Sequence, residues 1–323
     1  MNRAKMTFLE LVFPPMSNQE AHHFRDQPAA EHMKNSDFYM IGGKPKSKFT
    51  NVTLDEKSFT ISFNICIGDK QKSSGEINIT QLESIARFDG RKLDLSLKED
   101  AIEILHKKEG VNYIVERFTP ENILWFRSRN FNGISGINNY DELFCYDLLY
   151  IGIAKVGDSY DRLIKKGHHA RQAILSNEPQ RYPGARVSDE IFLFLFRLEP
   201  LYITTIGGDD EIGDNDLDFD YQHKQLVADA EKAFVSLLQP NYNVVKFNQY
   251  PKGADGLYDS NLDRYSYSIG EAITFNTAHG KIKGGRSSTL GGLTNKADFI
   301  SVDKKESKLF ISGVDFPDSE WLA

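Results

Sequence analysis

The chain has only two cysteines in 323 residues, Cys66 and Cys145, far apart and each inside an apolar stretch. That scarcity excludes a disulfide-framed secreted scaffold and predicts two buried thiols in a reducing compartment, the cytoplasm. No apolar run approaches the roughly 18 residues that a membrane-spanning helix requires. The apolar N-terminal stretch is interrupted by Glu10 and by Pro14-Pro15, so it does not read as a secretory signal. Positive charge is also short: 39 Lys and Arg against 46 Asp and Glu give a net −7, which argues against a general polyanion binder. What remains is ordinary globular material, 40% hydrophobic, 26% charged and 12% aromatic, enough to bury a sizeable core.

The charge is unevenly spread. Between Lys155 and Arg186 there are seven basic and three acidic residues, whereas 209–220 holds seven acidic residues and no basic one. A local basic face is therefore compatible with an acidic chain. His22, His23 and His32 lie near one another, but their spacing matches no metal-ligand pattern and reads as a solvated cluster.

Residues 59–65 alternate apolar and polar with period two, and 76–79 resume the pattern after a turn-like stretch, which predicts an antiparallel hairpin. Asp100 to Lys107 reads as a short helix. Ile123 to Phe126, a Gly- and Asn-rich turn over 132–139, and the apolar run 143–154 read as strand, turn, strand. Residues 191–196 are continuously apolar, as in a strand buried on both faces. A helix is expected from about Gln222 to Leu238, and glycine-punctuated short strands after Tyr250. The expected fold class is α+β: a small central antiparallel or mixed sheet flanked by helices over 116–250, with β-rich modules at 1–115 and 251–323.

Three segments stand out because they occur in a fixed order. Leu149-Tyr150-Ile151-Gly152 is a strand ending in a turn. Asp158 to Leu163 opens a helix that Asp158 or Ser159 can cap, and it carries Arg162. The third is the helix holding Glu231, followed by Pro240-Asn241-Tyr242-Asn243. Stepped at about 100° per residue, Val227, Ala230, Phe234, Leu237 and Leu238 form one apolar stripe, and Glu231 falls on it. A carboxylate there is costly unless it meets a cation or a metal. In the earlier helix Tyr160, Leu163, Ile164 and Ile174 share one face, and Arg162, Lys165, Lys166 and His169 the other. Gly167 can break the phase, which leaves His168 and His169 equal candidates.

This order of elements, over about a hundred residues, resembles the GIY-YIG nuclease family. The resemblance implies a metal-dependent endonuclease that hydrolyses DNA phosphodiester bonds. It implies that Tyr150 orients the attacking water and Arg162 stabilises charge on the scissile phosphate. Glu231 would hold one Mg²⁺ or Mn²⁺ ion. Asn243 would close the core by side-chain hydrogen bonding, and His168 or His169 would assist proton transfer or touch phosphate. Lys155, Lys165 and Lys166 are the expected DNA contacts.

The family's first tyrosine should lie on the strand paired with Tyr150. Folding the expected hairpin about Ile137 sets Leu124 opposite Tyr150, where no hydroxyl occurs; Tyr113, Tyr140 and Tyr146 stand as substitutes. Tyr150 to Arg162 is also slightly longer than the family's usual spacing. The alternative reading is a domain of this kind without the chemistry, binding nucleic acid or protein. The flanking modules suggest restriction or phage defence from architecture alone, and an oligomeric or activating partner is left open. The Asp214 to Asp218 run begins like a calcium loop but has Phe219 where the turn needs glycine, so it reads as an acidic loop. The glycines of 280–292 read as a β-turn tract.

Overall fold

The computed structural model describes residues 2–24, 27–88, 93–205 and 222–317. The acidic stretch 209–220 and the calcium-loop reading within it lie outside these residues. In chain order the first strands and helices are β1 (Asn2–Leu11), β2 (Met16–Ser17), α1 (Asn18–His23), α2 (Ala30–Met33) and β3 (Phe38–Gly43). A meander follows: β4 (Ser47–Asp55), β5 (Thr60–Ile67) and β6 (Lys70–Asn78), then β7 (Leu93–Leu97), β8 (Ile102–Lys108) and β9 (Val111–Phe118). The chain continues through α3 (Pro120–Ser128), β10 (Ile134–Gly136), α4 (Tyr140–Leu143) and β11 (Cys145–Ile153). Next come α5 (His169–Asn177), α6 (Val187–Glu190), β12 (Ile191–Thr205) and α7 (His223–Leu238). Five short strands end it: β13 (Arg264–Ile269), β14 (Thr274–Thr277), β15 (Gly280–Lys283), β16 (Phe299–Val302) and β17 (Ser307–Phe310).

The expected α+β class with a small central sheet is overturned. Strand makes up 39% of the protein against 22% helix, and the principal sheet is large and curled. It runs β15-β14-β11-β3-β12-β1-β13-β16-β17, with β2 added beside β12. Its strands come from the first 43 residues, from the middle and from the end, so a segment-by-segment reading could not size it. Two smaller sheets, β10-β6-β5-β4 and β7-β8-β9, stand apart.

Local errors share a cause. Residues 123–126 are helical in α3, because Thr119 caps the segment by accepting from the Asn122 N–H and Pro120 sits in the first turn. An apolar run of four cannot report this by itself. The expected helix at 100–107 is strand β8, whose Ile102 and Ile104 are buried between β7 and β9. The hairpin at 59–79 forms as β5 and β6, with Ile61 opposite Ile77. Residues 191–196 are all buried in the centre of the large sheet. In the 280–292 tract the chain makes β15 and an isolated Ser287–Gly291 bridge. Cys66 and Cys145 are free thiols on β5 and β11, and no described helix is long and apolar enough to cross a membrane.

The centre of the large sheet carries the site. β3 pairs antiparallel with both β11 and β12. One face presents Phe38, Met40, Ile151, Phe194 and Phe196 to the apolar side of α7, with the Phe38 and Phe234 rings 5.8 Å apart. The other presents Tyr39, Ile41, Leu193 and Leu195 to Tyr160, Leu163, Ile164 and Ile174. Each of these fully buried aliphatic or aromatic side chains contributes about 1.5–3 kcal/mol, so both helical segments are held firmly on the sheet.

Candidate functional site

Regular alternation would send Tyr150 to the α7 face, because Leu148 lies there. A β-bulge between Leu148 and Tyr150 prevents this: Leu148 pairs with Gly42, Tyr150 with Ile41, and Leu149 is the extra residue. Leu149 and Tyr150 thus project to the same side, a bulge re-aiming a side chain. Tyr150 then lies beside Tyr39, their rings nearly parallel with centroids 6.1 Å apart.

Tyr39 is the residue missed in the sequence. It stands on β3, directly opposite Gly152; the residue opposite Tyr150 itself, where Leu124 was expected, is Ile41. Leu124 is in fact a buried residue of α3. Of the proposed substitutes, Tyr113 is exposed on β9 and Tyr140 begins α4. Tyr146 is buried, its hydroxyl accepting from Lys44 Nζ at 3.2 Å. The available clue was the resemblance between Phe38-Tyr39-Met40-Ile41-Gly42 and Leu149-Tyr150-Ile151-Gly152, two apolar runs each with a tyrosine shortly before a glycine.

After β11 the chain is laced to the residues before β3: Ala154 N–H donates to Asp37 O (3.0 Å) and Ser159 N–H to Ser36 O (2.8 Å). Asp158 caps the following helical turn by accepting from the Asp161 N–H at 2.8 Å. That turn, 161–165, is a π-helical turn, a form often found at functional sites. It ends at Gly167, whose φ of +74° lies in the left-handed region that favours glycine. The helical phase is therefore lost there, which separates the two histidines. His168 is buried and caps α5, whereas His169 is exposed.

Arg162 Nε donates to the Tyr39 hydroxyl at 3.2 Å, and His168 Nε2 lies 2.8 Å from the same oxygen. His168 Nδ1 accepts the Arg171 backbone N–H at 3.2 Å. In a neutral imidazole that bond leaves the proton on Nε2, which donates to Tyr39. Burial, followed by the charges of Arg162 and Arg171, pulls His168 down to about 4, so the ring is neutral at pH 7. With two donors on its oxygen, Tyr39 directs its own proton to Tyr150, and that hydrogen bond partly offsets the upward push of burial on the Tyr150 phenol.

Glu231 projects from α7 toward this group; its negative charge acts on both Tyr39 and Tyr150. Burial pushes its carboxyl up to about 7, opposed by Lys155, Arg162 and Lys232. It has neither a hydrogen bond nor an ion pair among the described residues. Lys232, its neighbour, is instead paired with Asp255. This half-buried carboxylate, without a hydrogen-bond or ion-pair partner among the described residues, is the group here that could hold a divalent ion, against the repulsion of the Lys155, Arg162 and Lys232 charges. Mg²⁺ needs only one or two carboxylates and keeps several waters, so the lack of a three-ligand cluster among the described residues is no obstacle.

Asn243 closes the arrangement. Among the described residues the outer edge of β11 beyond Asp147 has no strand partner, since β14 pairs only with Cys145 to Asp147. Buried Asn243 fills the gap: its Oδ1 accepts the Ile151 N–H at 2.9 Å and its Nδ2 donates to the Ile151 carbonyl at 2.8 Å. Tyr242 N–H adds a bond to Leu149 O at 3.1 Å. The side-chain amide substitutes for a neighbouring strand at the residue between Tyr150 and Gly152.

Tyr150, Arg162, His168 and Glu231 are thus brought together with Tyr39, and Asn243 supports the strand beneath them. His169 is not in the hydrogen-bonded group. Arg162, Lys155, Lys165 and Lys166 are exposed around it, with Lys165 also 3.6 Å from Asp161. Comparison with known proteins gave no match to any family model, curated protein or solved structure.

Proposed function

We propose that the chain is a metal-dependent endonuclease of the GIY-YIG type that hydrolyses DNA phosphodiester bonds. The observation that carries this reading is the convergence of two tyrosine hydroxyls, a guanidinium, a neutral imidazole and a partnerless carboxylate. They come from β3, β11, the 161–165 turn, the start of α5, and α7. Packing accounts for Tyr39, which lies in the core, but a carboxylate left without a partner there works against stability.

In this reading the exposed guanidinium of Arg162 receives the scissile phosphate, and Lys155, Lys165 and Lys166 bind flanking phosphates. Arg162 and His168 fix Tyr39, which fixes Tyr150, leaving Tyr150 a proton and a lone pair with which to orient water. Glu231 would hold one Mg²⁺ or Mn²⁺ ion, which when bound supplies Lewis-acid neutralisation of phosphate charge. Tyr39 beside Tyr150 supports the catalytic reading over the alternative of a domain of this kind without the chemistry.

The test is nicking of supercoiled plasmid with Mg²⁺ or Mn²⁺. Cleavage is expected from the intact protein, and its loss from Glu231→Ala and Tyr39→Phe. DNA left whole by metal-replete protein refutes the reading; salt-sensitive binding without cleavage would then identify a binding module. Residence in the cytoplasm extends the proposal, from the reducing environment that two free thiols suit.

A further inference from the structure

Arg171, in the first turn of α5, has no task in the proposed phosphate chemistry, yet it touches both arms that meet at the Tyr39 hydroxyl. The first arm is the 161–165 turn, which carries Arg162. Because Gly167 ends that turn, its last carbonyls lose the donors that a continuing helix would supply. Arg171 Nη1 donates to the carbonyl of Leu163, the residue after Arg162, at 2.7 Å. The Leu163 side chain lies in the same buried cluster as Tyr39, so backbone and side chain of this residue are both tied down. The second arm is His168, whose Nδ1 accepts the Arg171 backbone N–H. One residue thus steadies the turn that aims Arg162 Nε and the tautomer that leaves His168 Nε2–H for Tyr39.

The guanidinium is itself anchored to the large sheet. Its Nε donates to Asn18 Oδ1 at 2.5 Å. Asn18 follows Ser17, which pairs with Phe192 of β12 and forms a reciprocal cap with Glu20. The Glu20 N–H donates to Ser17 Oγ at 3.2 Å, and the Ser17 N–H to a Glu20 carboxylate oxygen at 2.9 Å. The connection therefore runs from β12 through Ser17, Asn18 and Arg171 to the Leu163 carbonyl. A planar guanidinium serves two acceptors in different directions; a lysine ammonium, a point charge on a flexible stem, does not reproduce that fork. Arg186 makes a comparable tie to α1, with Gln19 and Asp189 as its partners.

We infer that Arg171 is a positioning residue of this site: held by Asn18, it fixes the Leu163 carbonyl and the His168 ring so that Arg162 and His168 meet on the Tyr39 oxygen. Its consequence for cleavage rests on the nuclease reading; its consequence for the His168 ring does not.

The test is Arg171→Lys in the full chain, read in two ways. In proton NMR of protein with isotopically labelled histidine, the His168 Nε2–H should give an exchange-protected signal that is absent from His168→Asn. Arg171→Lys, which keeps the charge, should lose that signal, and Asn18→Ala should weaken it. Arg186→Lys, which loosens the same α1, should leave it intact. In plasmid nicking, Arg171→Lys should lower kcat about 10²-fold with KM for DNA unchanged, and Arg186→Lys should alter neither. A purely structural role would lower Tm and leave the signal and kcat of the folded variant in place. If Arg171→Lys does not fold, Asn18→Ala decides by the same signal. A signal missing from the unsubstituted protein, retained in folded Arg171→Lys, or lost equally in Arg186→Lys overturns the inference. Failure of the unsubstituted protein to nick DNA overturns the nuclease reading instead, and the NMR comparison still decides the role of Arg171.

Discussion

Gly152 stands directly opposite Tyr39 in the β3–β11 ladder, and a Cβ built on Gly152 would lie 2.5 Å from the Tyr39 hydroxyl oxygen and 2.7 Å from the Tyr150 ring. The backbone here is ordinary strand, so the glycine is required for space and not for conformation. Gly152→Ala should therefore displace the tyrosine pair. The expected outcome is an overpacking cost of about 1–3 kcal/mol, with loss of plasmid nicking at temperatures where the fold persists. Thermal denaturation beside the nicking assay separates the two effects; full activity in a folded Gly152→Ala protein would contradict the tyrosine geometry.

The Glu231 carboxyl titrates near 7 in the folded protein against an ordinary 4.5. Between those values the folded state holds the proton more tightly than the unfolded chain. The group's contribution to stability is thus fully present below 4.5 and lost as pH rises through 7. Glu231→Gln should raise Tm at pH 8 and leave it nearly unchanged at pH 4.5. Mg²⁺ or Mn²⁺ at pH 8 should raise Tm of the unsubstituted protein and not of Glu231→Gln, by binding the native state alone.

His168 behaves in the opposite sense. Its folded value of about 4 lies below the ordinary 6.5, so the unfolded chain takes up the proton first as pH falls. Stability present above 6.5 is lost between 6.5 and 4. In an NMR titration one histidine should remain neutral through pH 6 and vanish from the spectrum in His168→Asn. A His168 resonance titrating near 6.5 would show that the ring is not held between Tyr39 and the Arg171 amide.

Asn243→Ala removes both bonds to Ile151 and leaves a buried N–H and a buried C=O without partners. A destabilisation of about 2–4 kcal/mol is expected, read as a lower denaturant midpoint with unchanged slope. Asn243→Asp keeps the acceptor for the Ile151 N–H but sets an oxygen against the Ile151 carbonyl, and should be no better tolerated.

Arg162→Lys keeps a positive charge but loses the Nε donor to Tyr39 and the planar fork. DNA binding measured by anisotropy should change little, while cleavage falls about 10²–10³-fold. If the rate were retained, Arg162 would be a binding contact only.

The sequence by itself determined what local periodicity can carry. Val227, Ala230, Phe234 and Leu238 of the α7 stripe (Glu231 and Leu237 are only half-buried), the buried face of Tyr160, Leu163, Ile164 and Ile174, the 59–79 hairpin and the wholly buried strand at 191–196 were legible. Each depends on neighbours within a few residues, where helix and strand geometry fix which side chains share a face. Only the tertiary structure decided that Tyr39, 123 positions from Arg162 and 129 from His168, completes the group. It also decided that a bulge turns Tyr150 toward it, and that Gly167 leaves His168 rather than His169 in place. Strand pairing and register arise from contacts between distant segments, and a shift of one residue sends a side chain to the opposite face. No local pattern in the chain encodes that choice.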